Sequence, residues 1–215
     1  MPDIPGNLRN AILNVDARDL AGQLPDASID LVFTDPVYDQ LDDYFWLAKT
    51  AARVLKPDRN LLAWASVPKA ARVQGMMEIS PLDYVYTLTY TVKAKTYRMR
   101  GYHLFCWTTP CLWFRKGAGF MPDPWVPDTF ISSKRPDGAH KWNKNQAVLG
   151  AWLKAYCPPG GTVWDPFCGG GSIPVMCKML GLTYVASEID PDTTAMAIDR
   201  LANTLPLFEM IQGQF

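Results

Sequence analysis

Short apolar runs that end on an acid alternate along this chain with stretches whose apolar positions recur at helical spacing. Ala11-Ile12-Leu13-Asn14-Val15 reads as a short buried strand ending at Asp16, and Ile29 to Phe33 as a second, ending at Thr34-Asp35-Pro36. Apolar residues at 41, 44, 45, 48, 51, 54 and 55 predict a helix from Leu41 to Lys56, closed by Pro57. Asn60 to Ser66 reads as a third strand, and Val67 to Met77 as a helix with Pro68 at its start. Two aromatic stretches, Asp83 to Val92 and His103 to Phe114, have strand character and can pair antiparallel. Gly117 to His140 shows no periodicity and carries Pro122, Pro124, Pro127 and Pro136, which predicts a long loop.

A second alternating run follows. Asn145 to Tyr156 reads as helix, broken by Pro158-Pro159-Gly160-Gly161. Thr162 to Asp165 is a strand, Pro166 to Gly171 a turn, and Ser172 to Leu180 a helix stopped by Gly181. Thr183 to Glu188 is a strand, and Pro191 to Leu205 a helix with Asp190 placed to cap it. Strands separated by single helices predict a mostly parallel α/β sheet, to which the aromatic pair adds an antiparallel edge. Ligands of such sheets sit at the carboxyl ends of the strands. Four of those ends are acidic here, at Asp16, Asp35, Asp165 and Glu188.

Composition narrows the class. A chain of 215 residues that is 48% apolar and 20% charged can bury a real core, and reads as a single domain spanning 1–215. Balanced totals of 21 basic and 21 acidic residues exclude a uniformly basic nucleic-acid binder. The balance is local, however: residues 93–144 hold ten Lys and Arg against three Asp, a net +7 offset by −7 elsewhere. Such a segment is either a solvated basic rim or a surface that faces an anion. The first residues lack the basic and apolar regions of a secretory signal, and no apolar run is long enough to span a membrane. Five Cys without a C-x-x-C pair and only two His argue against a metal site, and point to reduced thiols in a cytoplasmic setting.

Two constellations carry chemistry. Asp165-Pro166-Phe167-Cys168-Gly169-Gly170-Gly171-Ser172 joins a strand to a helix, and its glycines let backbone approach a ligand closely. It lacks the G-K-[ST] ending of a phosphate-binding loop, which disfavours ATP. Glu188 closes the next strand about twenty residues on, where an acid suits a ribose diol; taken alone, it serves equally well as a cap for the following helix. The other constellation is Thr34-Asp35-Pro36-Val37-Tyr38. A carboxylate and a nearby carbonyl can accept both hydrogens of an amino group, while the ring stacks on the base that bears it.

Together these motifs resemble those of the S-adenosylmethionine-dependent amino-methyltransferases of nucleic acids, in the permuted β-group order. There a catalytic D-P-P-Y precedes a cofactor motif D-P-F-x-G-x-G-[ST]. Leu24 to Leu31, Arg53 to Pro57 and Ser187 to Pro191 look like further family segments, and of H-P-T-x-K-P only His140 and Lys144 are kept. The resemblance covers roughly 11–66 and 140–204, and implies a Rossmann-like, seven-stranded methyltransferase sheet with circularly permuted motif order. It further implies that Asp35 and the Pro36 carbonyl accept the hydrogens of an exocyclic amine and that Tyr38 stacks on the extruded base. Asp165, Phe167, Gly169 and Gly171 would line the cofactor. Glu188 would bind its ribose, Asp16 its adenine amine, and Lys144 its methionine end. One position departs from the pattern: the second Pro of D-P-P-Y is Val37 here.

In the resembling family the span corresponding to 67–139 carries target recognition. Lys93, Lys95, Arg98, Arg100, Arg115 and Lys116 flank its aromatic stretches, with Tyr97, Tyr102 and Trp107 interleaved. Basic and aromatic groups together hold single strands and flipped bases. The implied activity is methylation of DNA at adenine N6. Cytosine N4, RNA adenine, or an inactive cofactor-binding partner subunit are the alternatives, and a homodimer is left open. No Pro-Cys nucleophile of the carbon-methylating kind is evident, and Cys157 reads as buried. A bacterial or phage-type host is the expected setting.

Overall fold

The computed structural model describes residues 3–92, 97–99, 103–120, 125–132 and 146–205. Eight of its ten strands form one sheet: β1 (Ala11–Asn14), β2 (Ile29–Thr34), β3 (Leu55–Trp64), β4 (Asp83–Val92), β7 (Thr108–Lys116), β8 (Thr129–Ser132), β9 (Thr162–Asp165) and β10 (Thr183–Glu188). Their spatial order is β1-β10-β9-β2-β3-β7-β4-β8. The two short strands β5 (Tyr97–Met99) and β6 (Leu104–Cys106) make a separate antiparallel hairpin.

Helices cover both faces. α1 (Ala17–Gln23), α2 (Leu41–Val54) and α3 (Ala70–Met77) bury Leu20, Tyr44, Leu47, Val73 and Met77 against one face. α4 (Gln146–Tyr156), α5 (Ser172–Leu180) and α6 (Pro191–Ala202) bury Leu149, Trp152, Ile173, Cys177 and Ala197 against the other. β2 lies in the middle and is buried at every position, which is why Ile29 and Leu31 to Phe33 are apolar on both faces rather than alternating. The strand order is consistent with a permuted chain order. β1, β2 and β3 enter first, and β9 and β10 then fill the gap left between β1 and β2.

The structure corrects the expected sheet in two respects. Among the described residues it has eight strands rather than seven, because β8 forms inside the stretch read as loop and pairs parallel with β4. Its reversed strand is interior rather than at the edge: β7 runs antiparallel to both β3 and β4. Asp83–Val92 and Thr108–Lys116, both within the span assigned to target recognition, are thus part of the central sheet.

Local features also differ. α1 is absent from the periodicity reading because only Ala17, Leu20 and Ala21 of its seven residues are buried. β3 begins five residues earlier than Asn60. Ile29 pairs with Leu55 but Leu31 pairs with Asn60, so residues 56–59, Pro57 among them, bulge out of the ladder. Asp30 anchors that bulge, accepting from Lys56 Nζ at 2.7 Å, Arg59 Nε at 3.0 Å and the Thr162 N–H at 3.0 Å. Burial alone would raise its pKa, but these donors hold it below the ordinary carboxylate value. Among the described residues, no helix is long and apolar enough to cross a membrane.

Candidate active site

Four strands end side by side along one edge of the sheet: β1, β10, β9 and β2. Their acids, Asp16, Glu188, Asp165 and Asp35, all line a single cavity of about 600 Å³. Pro36, Val37, Tyr38, Phe167 and Gly169 line it as well. The volume lies within the usual range for a small-molecule site.

The two motifs are coupled directly. Asp165 is 2% exposed, and its Oδ1 accepts from Thr34 Oγ1 at 2.7 Å. Thr34 Oγ1 in turn accepts from the Phe167 N–H at 3.2 Å. Thr34, the last residue of β2, therefore fixes the Gly-rich turn against the strand that delivers Asp35. Burial is the main reason that Asp165 is pushed up to about 8. The bonds from Thr34 and the Phe167 N–H pull it down, and the charges of Asp35 and Glu188 push it up.

The Gly-rich turn is built from backbone. Gly169 adopts φ +49°, and a Cβ placed on it would meet no protein atom within 4 Å, leaving room for a ligand against its Cα. Glu188 is fixed at both oxygens, by the Gly169 N–H and by the Asp190 N–H, each at 3.0 Å. Asp16 accepts from the Arg18 N–H at 2.7 Å and caps α1. Glu188 thus orders the turn while lining the cavity, and the cap of α6 is Asp190, which accepts from the Thr193 N–H. Gly171 has a different place. It precedes α5 at φ +73°, outside the cavity lining, and a Cβ there would come within 3.1 Å of Ala197 on α6. It allows close helix packing rather than ligand approach.

On the catalytic side, Pro36 is buried and Val37 is 61% exposed. The Val37 carbonyl accepts from the Gln40 N–H at 3.0 Å, closing a turn. Tyr38 packs against the core, and its hydroxyl is hydrogen-bonded to Asp35. Burial first, then the charge of Asp35 and that bond, drive the phenol far above its ordinary range. Cys157 is 2% exposed and its thiol is pushed up to about 12 by burial, as an inert structural residue would be.

Some of the residues singled out in the sequence are not brought to this cavity. β7 runs back toward the amino ends of the parallel strands, so Lys116 lies opposite Arg59 and Arg115 opposite Asn60, at the far end of the sheet from Asp35. There Lys116 donates to the Leu55 carbonyl at 2.7 Å, and Arg115 Nε lies 3.9 Å from the Asp83 carboxylate. Lys93, Lys95, Arg100, Tyr102, His140, Lys144 and the side chains of Tyr97 and Arg98 lie outside the described residues. Conversely, Arg18 and Asp43 line the cavity without standing out in the sequence, and Ile189, within the family-like segment Ser187 to Pro191, lines it while 67% exposed. Among the described residues, no cluster of His, Cys, Asp and Glu is arranged to hold a metal ion.

Comparison with known proteins agrees with this geometry. A family profile described as DNA methylase matches residues 121–199. The Type II methyltransferases M.XycI of Xanthomonas campestris pv. cyanopsidis and M.Cfr9I of Citrobacter freundii are each 31% identical over 71 residues, 33% of this chain. That alignment spans 24% of each relative's own length. Among solved structures, the M1.HpyAVI–SAM complex superposes with a TM-score of 0.75 at 20% identity, covering 88% of this chain and 98% of that one. The cytosine-N4-specific PvuII DNA methyltransferase gives 0.79 at 16% identity, covering 94% and 90%. TTHA0409 of Thermus thermophilus, complexed with S-adenosyl-L-methionine, gives 0.73 at 18%, covering 91% and 94%. These structures share the Rossmann-like methyltransferase fold of this chain. With the family profile on residues 121–199 and both motifs facing one cavity, the chain is similar to the amino-methyltransferase family of DNA methylases over that part of its length.

Proposed function

We propose that this protein transfers the methyl group of S-adenosylmethionine to the exocyclic amine of a base extruded from DNA, adenine N6 in the first place. The observation that carries the reading is the Thr34–Asp165 bond, which seats a D-P-x-Y carboxylate and a Gly-rich cofactor turn in one cavity although they lie 131 positions apart. The cavity fits the cofactor: an open space over Gly169, acids at the β1 and β10 ends for adenine and ribose, and a buried carboxylate beneath the turn. Relatives solved with that cofactor share the fold.

When bound, S-adenosylmethionine supplies an electrophilic methyl carbon on a sulfonium. The chain's own residues prepare the nucleophile. An aromatic amine is a weak nucleophile because its lone pair is delocalised into the ring. Asp35 and the Pro36 carbonyl accept its two hydrogens and localise that pair in the direction of attack. Tyr38 gives up its bond to Asp35 as the amine arrives, and its ring stacks on the base, contributing roughly 1–3 kcal/mol toward the few kcal/mol that extrusion costs. Phe167 and Ile189 exclude water, and Glu188 and Asp16 orient the cofactor. Catalysis then rests on positioning and preorganised electrostatics, with no covalent enzyme intermediate.

Cytosine N4 is the second reading, favoured by the cytosine-N4 specificity of the PvuII enzyme, whose fold covers 94% of this chain. The test is incubation with methyl-labelled S-adenosylmethionine and unmethylated DNA, followed by digestion to nucleosides and mass spectrometry. N6-methyladenine is the expected product. N4-methylcytosine would keep the chemistry and overturn the base, and cofactor binding without labelled nucleic acid would overturn the activity.

A further inference from the structure

The cavity is lined by six carboxylates, Asp16, Asp35, Asp39, Asp43, Asp165 and Glu188, and by one cation among the described residues, Arg18. Arg18 has no place in either motif. Its Nη2 lies 2.7 Å from Asp43 Oδ1, and that side chain is only 15% exposed. Its guanidinium also sits 5.0 Å from the centre of the Trp46 ring. Trp46 meets Phe167 edge-on at 6.0 Å and Trp164 edge-on at 6.1 Å. A continuous stack therefore runs from Arg18 through Trp46 to the aromatic residue of the Gly-rich turn.

The topology gives that stack a purpose. Arg18 is in the first turn of α1, two residues after Asp16, and Asp43 is in the first turn of α2, just beyond the loop that starts at Asp35. These helices follow β1 and β2, which are not neighbours: β10 and β9 lie between them. At about 4.8 Å per strand, the ion pair joins chain segments that leave the sheet roughly 14 Å apart. The two strand ends it flanks are those that carry Glu188 and the Gly-rich turn. The contact links directly the segments that follow Asp16 and Asp35 at the two ends of the cavity.

We propose that Arg18 is a positioning residue for the cofactor. With Asp43 it sets the separation of the two cavity ends, and through Trp46 it holds Phe167 in place as a wall. The proposal rests on the cofactor reading above. Arg18 acts on the shape of the cofactor pocket rather than on the amine, so its loss changes cofactor affinity and leaves the chemical step intact.

The experiment is calorimetric titration of S-adenosylmethionine into the full chain, with steady-state kinetics on DNA alongside, for the wild type, Arg18→Ala, Arg18→Lys, Trp46→Leu and the Arg18→Ala/Trp46→Leu double variant. Arg18→Ala weakens cofactor binding about tenfold and raises the cofactor KM in parallel, while kcat at saturating cofactor stays within about twofold. Arg18→Lys keeps the ion pair with Asp43 but not the flat stack on Trp46, and recovers part of the loss. Because the two residues act through one stack, the double variant is no weaker than the worse single one. Unchanged affinity in Arg18→Ala, a fall in kcat without a change in affinity, or additive losses in the double variant would each overturn the positioning role. A wild type that binds no S-adenosylmethionine would overturn the cofactor reading and this inference with it, whereas equal binding by wild type and Arg18→Ala overturns the inference alone.

Discussion

The two walls of the cavity are built in different ways. On the cofactor side nearly every polar group is already held. Thr34 binds Asp165 and the Phe167 N–H, Glu188 binds two backbone N–H groups, and Arg200 reaches from α6 to the Gly170 carbonyl at 3.0 Å and Ser172 Oγ at 3.1 Å. On the catalytic side, residues 35–40 form a loop with exposed positions at Val37, Asp39 and Gln40, held by the Val37–Gln40 turn, the Tyr38–Asp35 bond and an ion pair between Lys69 and Asp39, among other contacts. The difference suits the two ligands. A cofactor that returns every cycle needs a fixed cradle, and a base that must be drawn out of a helix needs a loop that exchanges partners as it arrives. Removing a group from the catalytic side should therefore cost turnover, and removing one from the cofactor side should cost affinity.

The largest expected break in that comparison is at Asp35. Asp35→Ala deletes the proposed acceptor of the amine and should lower kcat by about 10³-fold, with the cofactor dissociation constant unchanged within about twofold. Tyr38→Ala should follow the same pattern. Single-turnover kinetics beside a cofactor titration separates the two quantities. A loss of cofactor binding equal to the loss of rate would show that Asp35 belongs to the fixed wall.

Asp165 sharpens the cofactor side. Its pKa is raised to about 8, chiefly by burial, so the folded apoprotein holds a proton on it that the unfolded chain has released above the ordinary value of 3.8. Its contribution to apoprotein stability is thus greatest at and below that ordinary value, and it is lost as pH rises toward 8. A cationic cofactor favours the ionised form. Its affinity should accordingly rise between pH 6 and pH 8 by up to about tenfold per unit, with proton release on binding. Titration calorimetry in buffers of different ionisation enthalpy measures that release. Asp165→Asn should flatten the part of the pH dependence that belongs to this residue, and a profile identical to that of the wild type would remove Asp165 from the binding step.

The same contrast explains what could be read in the sequence. The cofactor wall depends on residue types that local geometry demands: an acid at a strand end, glycines where φ is positive or backbone is crowded, an acid at a helix start. Asp165, Gly169, Glu188 and Asp190 are legible in the sequence because the local geometry of a strand end, a turn and a helix start calls for these residue types. Most elements of the parallel core are legible for the same reason, from a helical period or a short apolar run; α1, with three buried residues of seven, is the exception. What escaped depended on distant pairing. The interior position of β7 follows from partners on both sides, and β8 from a β4 edge that offers four residues of ladder. Charge and aromatic neighbours suggest a substrate-facing place for Arg115 and Lys116, but the reversed direction of β7 carries them to the opposite end. Arg18 and Thr34 gain their roles only through contacts 25 and 131 positions away.

The smallest expected effect concerns Val37, on the loosely held side. Proline at this position would fix its φ near −65° and restrict Pro36, whose carbonyl is the proposed acceptor of the amine. The structure accommodates that change. Val37 is 61% exposed, and its bond to the Gln40 N–H uses the carbonyl, which proline retains. Val37→Pro should then reduce the freedom of the loop before the base arrives, worth about 0.4–1 kcal/mol, or roughly two- to fivefold in kcat, with cofactor affinity unchanged. Single-turnover rates at saturating cofactor and DNA measure it. An increase would mean that the Pro36 carbonyl is imperfectly aimed in the natural chain and that the loop trades rate for mobility. A decrease would mean that the valine backbone already adopts the productive shape, and that the loop must flex at residue 37 for Tyr38 to leave Asp35.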